Sequence, residues 1–256
     1  FRPNKTICKE KQCSSCDRKI MVIDSEYDTF LSLLKKAFCV VASDYVREKY
    51  RGTVETTRIY WDADTSLLNQ PTISSFNSRD ILFGGRKDCE KGTVFAITAL
   101  KRILKKHGNA RLLFAGTSRN DQIMEIANVY NVKDHVADLG YLPRKKYLDV
   151  VQSVNCVMCV SIWEEPFNLT LLEAMASGKP VISTRVGGQT EVAGNAGVTV
   201  DSKSSSAISN AVDKLFSDKT LHEELSRLSK ERASSFKGCA EQYIAIYKKA
   251  VDSQTN

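Results

Sequence analysis

Two glutamates, Glu165 and Glu173, stand eight residues apart on either side of an expected helix start. An apolar run at 154–160, rich in branched residues, precedes them and predicts a buried parallel strand. From Asn168 apolar residues recur every three or four positions until Gly178, which predicts a helix. The free N–H groups at its start suit a phosphate, and both carboxylates can accept hydrogen bonds from hydroxyl groups. Taken alone, this spacing is also typical of a solvated helix face.

A second charged group follows another predicted strand, at 81–83. That strand runs into two glycines, the second being Gly85, and then into Arg86 and Lys91. The glycines let the backbone bend, while a guanidinium and an ammonium suit the oxygens of a diphosphate. A cluster made of Arg86, Lys87 and Lys91 is equally compatible with a solvated basic turn.

Both segments resemble the donor-binding domain of retaining GT-B glycosyltransferases of family four, the glycosyl transferases group 1. The resemblance rests on E-x7-E at 165–173, LLEAMASGKPVI at 171–182, GGQTEV at 187–192, and the Arg86 and Lys91 pair. It implies an α/β fold of GT-B type with a Rossmann-like, doubly wound parallel sheet. It also implies the tail end of a second Rossmann-like domain at the N-terminus.

The resemblance implies an enzyme that moves a sugar from a UDP-, GDP- or ADP-sugar to a hydroxyl of a glycan or lipid-linked glycan. No cofactor or catalytic metal is expected. Arg86 and Lys91 would neutralise the diphosphate and Glu165 would contact the transferred sugar, which makes these three the expected catalytic residues. Glu173 would hold the nucleotide ribose. The other expected donor-binding residues are Gly85, Tyr141, Leu142, Phe167, Asn168, Leu169 and Thr170.

Three of these residues carry a further expectation. Asn168 stands where the family usually has glycine, and asparagine tolerates left-handed backbone angles and also caps helices. Tyr141 and Leu142 lie in a segment similar to the family's base-binding loop. Packing of these two side chains on the next helix is an equally open interpretation.

Alternation of strands and amphipathic helices predicts a parallel sheet. The further strands are expected near 111–115, 136–139, 155–160, 181–183 and 197–200, and a helix is expected at 91–107. The expected domains are the truncated C-terminal part of an acceptor-side domain at 1–68, a linker at 69–79, the donor-binding domain at 80–236 and a crossover helix at 237–256. Enzymes of this type have two domains of about 150 residues or more. The acceptor side is therefore expected to be truncated, supplied by a partner chain, or outside these 256 residues.

The composition, with 42% hydrophobic and 26% charged residues, indicates a globular protein, and no apolar run nears the ~20 residues of a membrane span. A cytoplasmic location is expected. The net charge of +7 suits an anionic donor. Basic runs at 101–106 and 143–147 suggest a second interpretation, peripheral contact with the cytoplasmic face of a membrane. Nucleic acid is not expected as a partner, because these runs lack interleaved aromatic residues.

Most of the eight cysteines are expected to be free thiols, since no secretory signal is visible. Cys156 and Cys159 should point to opposite faces of one strand. Cys8, Cys13 and Cys16 could hold zinc, join a distant cysteine such as Cys39 around an iron–sulfur cluster, or be loop thiols.

Two other functions remain open at this point. One is a non-catalytic subunit that binds a sugar nucleotide and partners a chain carrying the acceptor site. The other is a nucleotide-sugar epimerase of GT-B type, against which the E-x7-E and EAMASGKPVI elements argue.

Overall fold

A computed structural model describes residues 24–116 and 121–253. Its strands are β1 Cys39–Val41, β2 Thr56–Arg58, β3 Asp80–Phe83, β4 Arg111–Phe114, β5 Val136–Asp138, β6 Cys156–Cys159, β7 Val181–Thr184 and β8 Val198–Val200. Its α-helices are α1 Asp24–Leu34, α2 Asp44–Lys49, α3 Thr65–Leu68, α4 Thr93–Ile103, α5 Asp121–Val129, α6 Arg144–Ser153, α7 Leu169–Ala176, α8 Gln189–Ala193, α9 Ser205–Ser217, α10 Lys219–Ser234 and α11 Cys239–Asp252. Short 3-10 helices cover Cys89–Lys91 and Lys133–His135.

Six strands form one sheet in the order β5-β4-β3-β6-β7-β8, and all its pairs are parallel. The chain winds outward from β3 to one edge and then returns to β6 to build the other half. The order therefore reverses between β3 and β6, and the crevice outside the carboxyl ends of these two strands is where such sheets bind ligands. The predicted doubly wound sheet and each of its predicted strands are confirmed.

Strand β6 shows why the sheet is covered on both faces. Cys156 and Met158 pack into the cluster that includes α4, α5 and α9, whereas Val157 and Cys159 pack into the cluster that includes α6, α7 and α8. Successive side chains of a strand point to opposite faces, so an uninterrupted apolar strand needs helices on both. The prediction for the two cysteines is confirmed, and burial raises the pKa of each thiol to about 12.

Helix α4 is shorter than the predicted helix at 91–107. Gly92 precedes it with φ +84°, and a Cβ there would lie 2.0 Å from the Val160 carbonyl oxygen. Only glycine fits this left-handed turn, which separates the Cys89–Lys91 turn from α4. At the other end Lys105 N and Lys106 N bond to carbonyls three residues back, so the last turn leaves α-helical geometry.

Residues before the large sheet pack against its carboxyl side through Glu191. This carboxylate accepts hydrogen bonds from Asp44 N at 2.8 Å, Tyr45 N at 2.6 Å and the Tyr60 hydroxyl at 2.9 Å. Burial, followed by the Glu191 hydrogen bond, raises the pKa of Tyr60 to about 12, which keeps its hydroxyl protonated as a donor. The expected domain boundaries at 68, 79 and 236 stay predictions.

The segment at 70–79 contains neither helix nor strand. Hydrogen bonds from Lys179 hold this segment against the sheet domain. Lys179 is 1% exposed, and its ammonium donates to Ile73 O at 3.2 Å, Ser75 Oγ at 2.9 Å and Gln152 O at 2.5 Å. Burial lowers the pKa of this ammonium from 10.5 to about 8.

Replacing Lys179 by methionine removes three hydrogen bonds and leaves buried acceptors unpaired, so we expect a loss of about 2 kcal/mol of unfolding free energy at pH 8. The folded pKa lies below the unfolded one, so the unfolded chain binds more protons between pH 8 and 10.5. The stability of the unmodified chain relative to Lys179→Met should therefore increase across this window, by up to about 3 kcal/mol. Denaturant unfolding at several pH values measures this difference.

The control is Lys105→Met, which changes an exposed lysine. A stability difference for Lys179→Met that is small and constant with pH, as expected for the control, would contradict the assignment.

Candidate active site

The loops that leave β3 and β6 are joined by one backbone carbonyl. Glu90 O accepts hydrogen bonds from Ile162 N at 2.8 Å and from Trp163 N at 3.2 Å. The two segments singled out from the sequence, about 70 residues apart, thus meet at the carboxyl ends of neighbouring strands.

Lys91 and Glu165 form an ion pair at this junction, with Nζ and Oε1 2.5 Å apart. The Ser161 hydroxyl lies 2.8 Å from the same Oε1 and 3.0 Å from Glu90 O. The Lys91 side chain is 18% exposed and the Glu165 side chain 8%. Because an ammonium has three N–H donors, Lys91 can hold Glu165 and still donate to a phosphate oxygen.

Gly187 and Gly188 hold the Glu165 backbone from behind. Gly188 N donates to Glu165 O at 2.6 Å. Gly187 has φ +62°, and a Cβ there would lie 2.3 Å from Glu165 O and 2.5 Å from Glu165 N. The Gly-Gly turn of the GGQTEV element therefore lets two loops approach more closely than any side chain would allow.

Asn168 caps the start of α7, the helix predicted to begin at this residue. It adopts left-handed angles, φ 110° and ψ 83°, and its Oδ1 caps α7 by accepting from Leu171 N at 3.0 Å. Its amide nitrogen donates to Gln189 Oε1 at 3.0 Å. The expected left-handed backbone and helix cap are both confirmed. The neighbouring Phe167 side chain is buried against Tyr60, so only its backbone could meet a ligand.

A cavity of about 310 Å³ opens beside this junction. It is lined by Gly85, Arg86, Ala115, Gly116, Tyr141, Leu142, Tyr147, Thr170 and Glu173. Six of these are predicted site residues, while Ala115, Gly116 and Tyr147 were not foreseen. The signal for Gly116 was present in the sequence, because it follows β4 and so reaches the same edge of the sheet as β3.

The basic residues after β3 do not form a solvated turn. Lys87 has a fully buried side chain whose Nζ lies 2.5 Å from Oδ1 of Asp138, the last residue of β5. Arg86 is 71% exposed on the rim of the cavity, with its Nε 3.3 Å from Asp88 Oδ2. The basic-turn interpretation is therefore wrong for Lys87 and Lys91, and it leaves Arg86 as the cation that faces solvent.

Arg144 was also missed, since the sequence placed it within a basic run considered for membrane contact. Its Nη1 lies 2.6 Å from Glu173 Oε1, and its Nη2 lies 3.0 Å from Asp64 Oδ2. Arg144 thus contacts Glu173, which lines the cavity, and no sequence spacing could have paired it with residues 29 and 80 positions away.

The remaining expectations concern metals and membranes. Cys8, Cys13 and Cys16 lie outside the described residues, and within the described ranges no group of metal-ligating side chains is found. Cys39, the suggested fourth cluster ligand, has its Sγ 3.3 Å from Leu34 O. None of the helices in the described ranges has both the length and the apolar character needed to cross a bilayer.

Comparison with known proteins identifies the family. The model of the glycosyl transferases group 1 matches residues 70–232, and the chain belongs to this family. An uncharacterized glycosyltransferase of Methanocaldococcus jannaschii is 31% identical over 235 residues, which are 86% of this chain and 58% of the relative. The chain therefore spans a little more than half the length of this relative.

Solved structures show the same fold. Sucrose-phosphate synthase of Thermosynechococcus elongatus superposes with a TM-score of 0.78 at 23% identity, over 96% of this chain and 65% of that one. The Anabaena protein HepE, solved in complex with UDP-glucose, superposes with a TM-score of 0.74 at 17% identity, over 90% of this chain and 68% of that one. The predicted GT-B fold is confirmed.

Substitution of Gly187 by alanine tests the packing behind Glu165. Both Gly187 and Gly52 have positive φ, but a Cβ at Gly52 would meet open space. We expect Gly52→Ala to cost about 1 kcal/mol of unfolding free energy from backbone strain alone. Gly187→Ala adds a backbone clash and should cost about 3 kcal/mol or more. Urea unfolding of both variants measures the difference, and equal losses would contradict the close approach.

Proposed function

We propose that this chain is the donor-binding part of a retaining glycosyltransferase, which transfers a sugar from a nucleoside diphosphate sugar to an acceptor hydroxyl. The observation that carries the proposal is the Lys91–Glu165 pair at the sheet's switch point, next to a cavity with Arg86 and Glu173 on its wall. It combines cations for a diphosphate with carboxylates for hydroxyl groups. Membership of the glycosyl transferases group 1 supports a nucleotide sugar as the ligand of these residues.

The donor would lie across the cavity with its diphosphate near Arg86 and Lys91. Glu173 would accept from the ribose, and the loop with Tyr141 and Leu142 would face the base. Tyr141 is exposed at the cavity rim and Leu142 is half-buried, so both remain accessible to a ligand. The HepE structure was solved with UDP-glucose, which supports a uridine donor for a site on the same fold.

The reaction breaks the bond between the sugar's anomeric carbon and the diphosphate oxygen, and the electron pair leaves with the phosphate. The acceptor oxygen bonds to the anomeric carbon on the same face, and its proton passes to the leaving phosphate. Fixed cations aimed at the developing negative charge contribute roughly 3 kcal/mol each to such a transition state. Arg86 and Lys91 fill this role, and with two cations at the phosphate we propose that no metal ion is required.

Glu165 orients the sugar in this scheme. Its carboxylate is held by Lys91 and Ser161, and a fixed acceptor can hold a sugar hydroxyl in one orientation while the anomeric bond breaks. The acceptor, proposed to be a glycan or lipid-linked glycan, would approach from the side of the N-terminal residues. The proposed setting is the cytoplasm, including the cytoplasmic face of a membrane, where exposed lysines such as Lys101 and Lys105 could meet anionic lipid.

Thermal unfolding with UDP, GDP, ADP and their sugar conjugates tests the donor site. A ligand at 100 times its dissociation constant adds about 2.7 kcal/mol of stability, so one nucleotide should raise the unfolding temperature selectively. Arg86→Ala and Glu173→Ala should lose most of this shift. Glu165→Ala should keep the shift from the nucleotide but abolish turnover of the sugar conjugate, measured as release of the nucleoside diphosphate.

The matched control is Arg102→Ala, which removes an exposed arginine near the far end of α4. Its nucleotide-induced shift should equal that of the unmodified chain. The proposal would be wrong if no nucleotide stabilised the chain, or if Arg86→Ala kept the full shift. Selective binding together with co-purification of a partner chain would favour the non-catalytic subunit.

A further inference from the structure

Arg144 connects the cavity wall to the N-terminal part of the chain. Its Nη1 donates to Glu173 Oε1, at 2.6 Å, and its Nη2 donates to Asp64 Oδ2, at 3.0 Å. The guanidinium is a rigid planar fork, so a single side chain can fix the direction of two carboxylates at once. The flexible ammonium of a lysine would not do this.

Asp64, the second partner of Arg144, is itself held in position by hydrogen bonds. Asp64 Oδ1 accepts from Ser66 N at 2.9 Å and from the Ser66 hydroxyl at 2.6 Å, as the cap of α3. These contacts, the Ser66 hydroxyl first, lower the pKa of Asp64 and keep it ionised. The Arg144 guanidinium therefore contacts both the N-cap residue of α3 and Glu173.

Glu173 stands on the cavity wall with 27% of its side chain exposed. Arg144 meets it at Oε1. A carboxylate has two oxygens with about four lone-pair sites, so Glu173 can keep Arg144 and still accept from two neighbouring hydroxyl groups.

We propose that Arg144 is a positioning residue that makes this site selective for ribonucleotides over deoxyribonucleotides. It holds the Glu173 carboxylate in the orientation that accepts from both hydroxyls of a ribose. This inference rests on the proposed function, because a ribose reaches Glu173 only if a nucleotide occupies the cavity. Arg144 acts through Glu173 and needs no contact with the ligand.

The experiment compares dissociation constants for UDP and 2′,3′-dideoxy-UDP, with the GDP and ADP pairs measured alongside, by calorimetry on the whole chain. For the nucleotide that binds best, Arg144→Ala should weaken ribonucleotide binding roughly tenfold, the loss of about one charged hydrogen bond. Binding of the dideoxy analogue should change less than about twofold. Glu173→Ala should show the same pattern, and the double variant should be no weaker than Glu173→Ala alone.

Two further variants complete the design. Arg144→Lys keeps the charge without the fork and should recover part of the selectivity. Lys145→Ala removes an exposed positive charge from the next position of α6 and should leave both affinities unchanged. Retained binding of the dideoxy analogue by Arg144→Ala shows that the variant is folded.

The outcomes separate this inference from the proposed function. Equal weakening of both nucleotides in Arg144→Ala, or an unchanged ratio of the two affinities, would overturn the positioning role. Tighter UDP binding would overturn it as well, since it would make Arg144 a competitor of the ribose. If the unmodified chain bound none of the nucleotides, the proposed function itself would fall, and the inference with it.

Discussion

The Glu165 carboxylate is almost fully buried, and an ionised carboxylate at such depth costs several kcal/mol unless a cation and hydrogen-bond donors compensate it. Lys91 supplies the cation and Ser161 a hydroxyl. Lys91 can do so only if the loop after β3 lies directly against the loop after β6. The pairing of this buried charge thus requires the loops that follow β3 and β6 to stay in contact.

Other features of the site follow from this closeness. Gly92 is needed because the first loop passes against the Val160 carbonyl, and Gly187 because a third loop passes against the backbone of Glu165. Asn168 then turns the chain with left-handed angles and caps α7 in the same residue. The glycines and the asparagine therefore meet the steric requirements of the closely packed loops that carry the charge pair.

The sheet could be predicted from the sequence because its signals are local. Strand β6 is an apolar run of four residues covered on both faces, and Gly178 marks the end of α7 within the few residues that define it. The predicted start of α4 was wrong because the helical pattern of the sequence includes Gly92. The backbone of Gly92 is set by its close approach to Val160, which is distant in the sequence.

The residues of the site were likewise predicted only in part. Lys91 and Glu165 stood out because each follows a strand, and the parallel sheet brings those strand ends together. The contacts of Arg144 and Glu191 could not be predicted in this way. Their partners Asp64 and Tyr45 lie 80 and 146 residues away in the sequence. Long-range hydrogen bonds of polar side chains depend on packing geometry, which hydrophobic patterns do not encode.

A crystal structure of the chain with the nucleoside diphosphate that binds best would show where the donor lies relative to the Lys91–Glu165 pair. We expect phosphate oxygens about 3 Å from Lys91 Nζ and from the Arg86 guanidinium, with the Lys91–Glu165 contact kept and the ribose hydroxyls on Glu173. A nucleotide bound away from the β3 and β6 loops, or in this cavity with its phosphates turned away from Lys91, would contradict it.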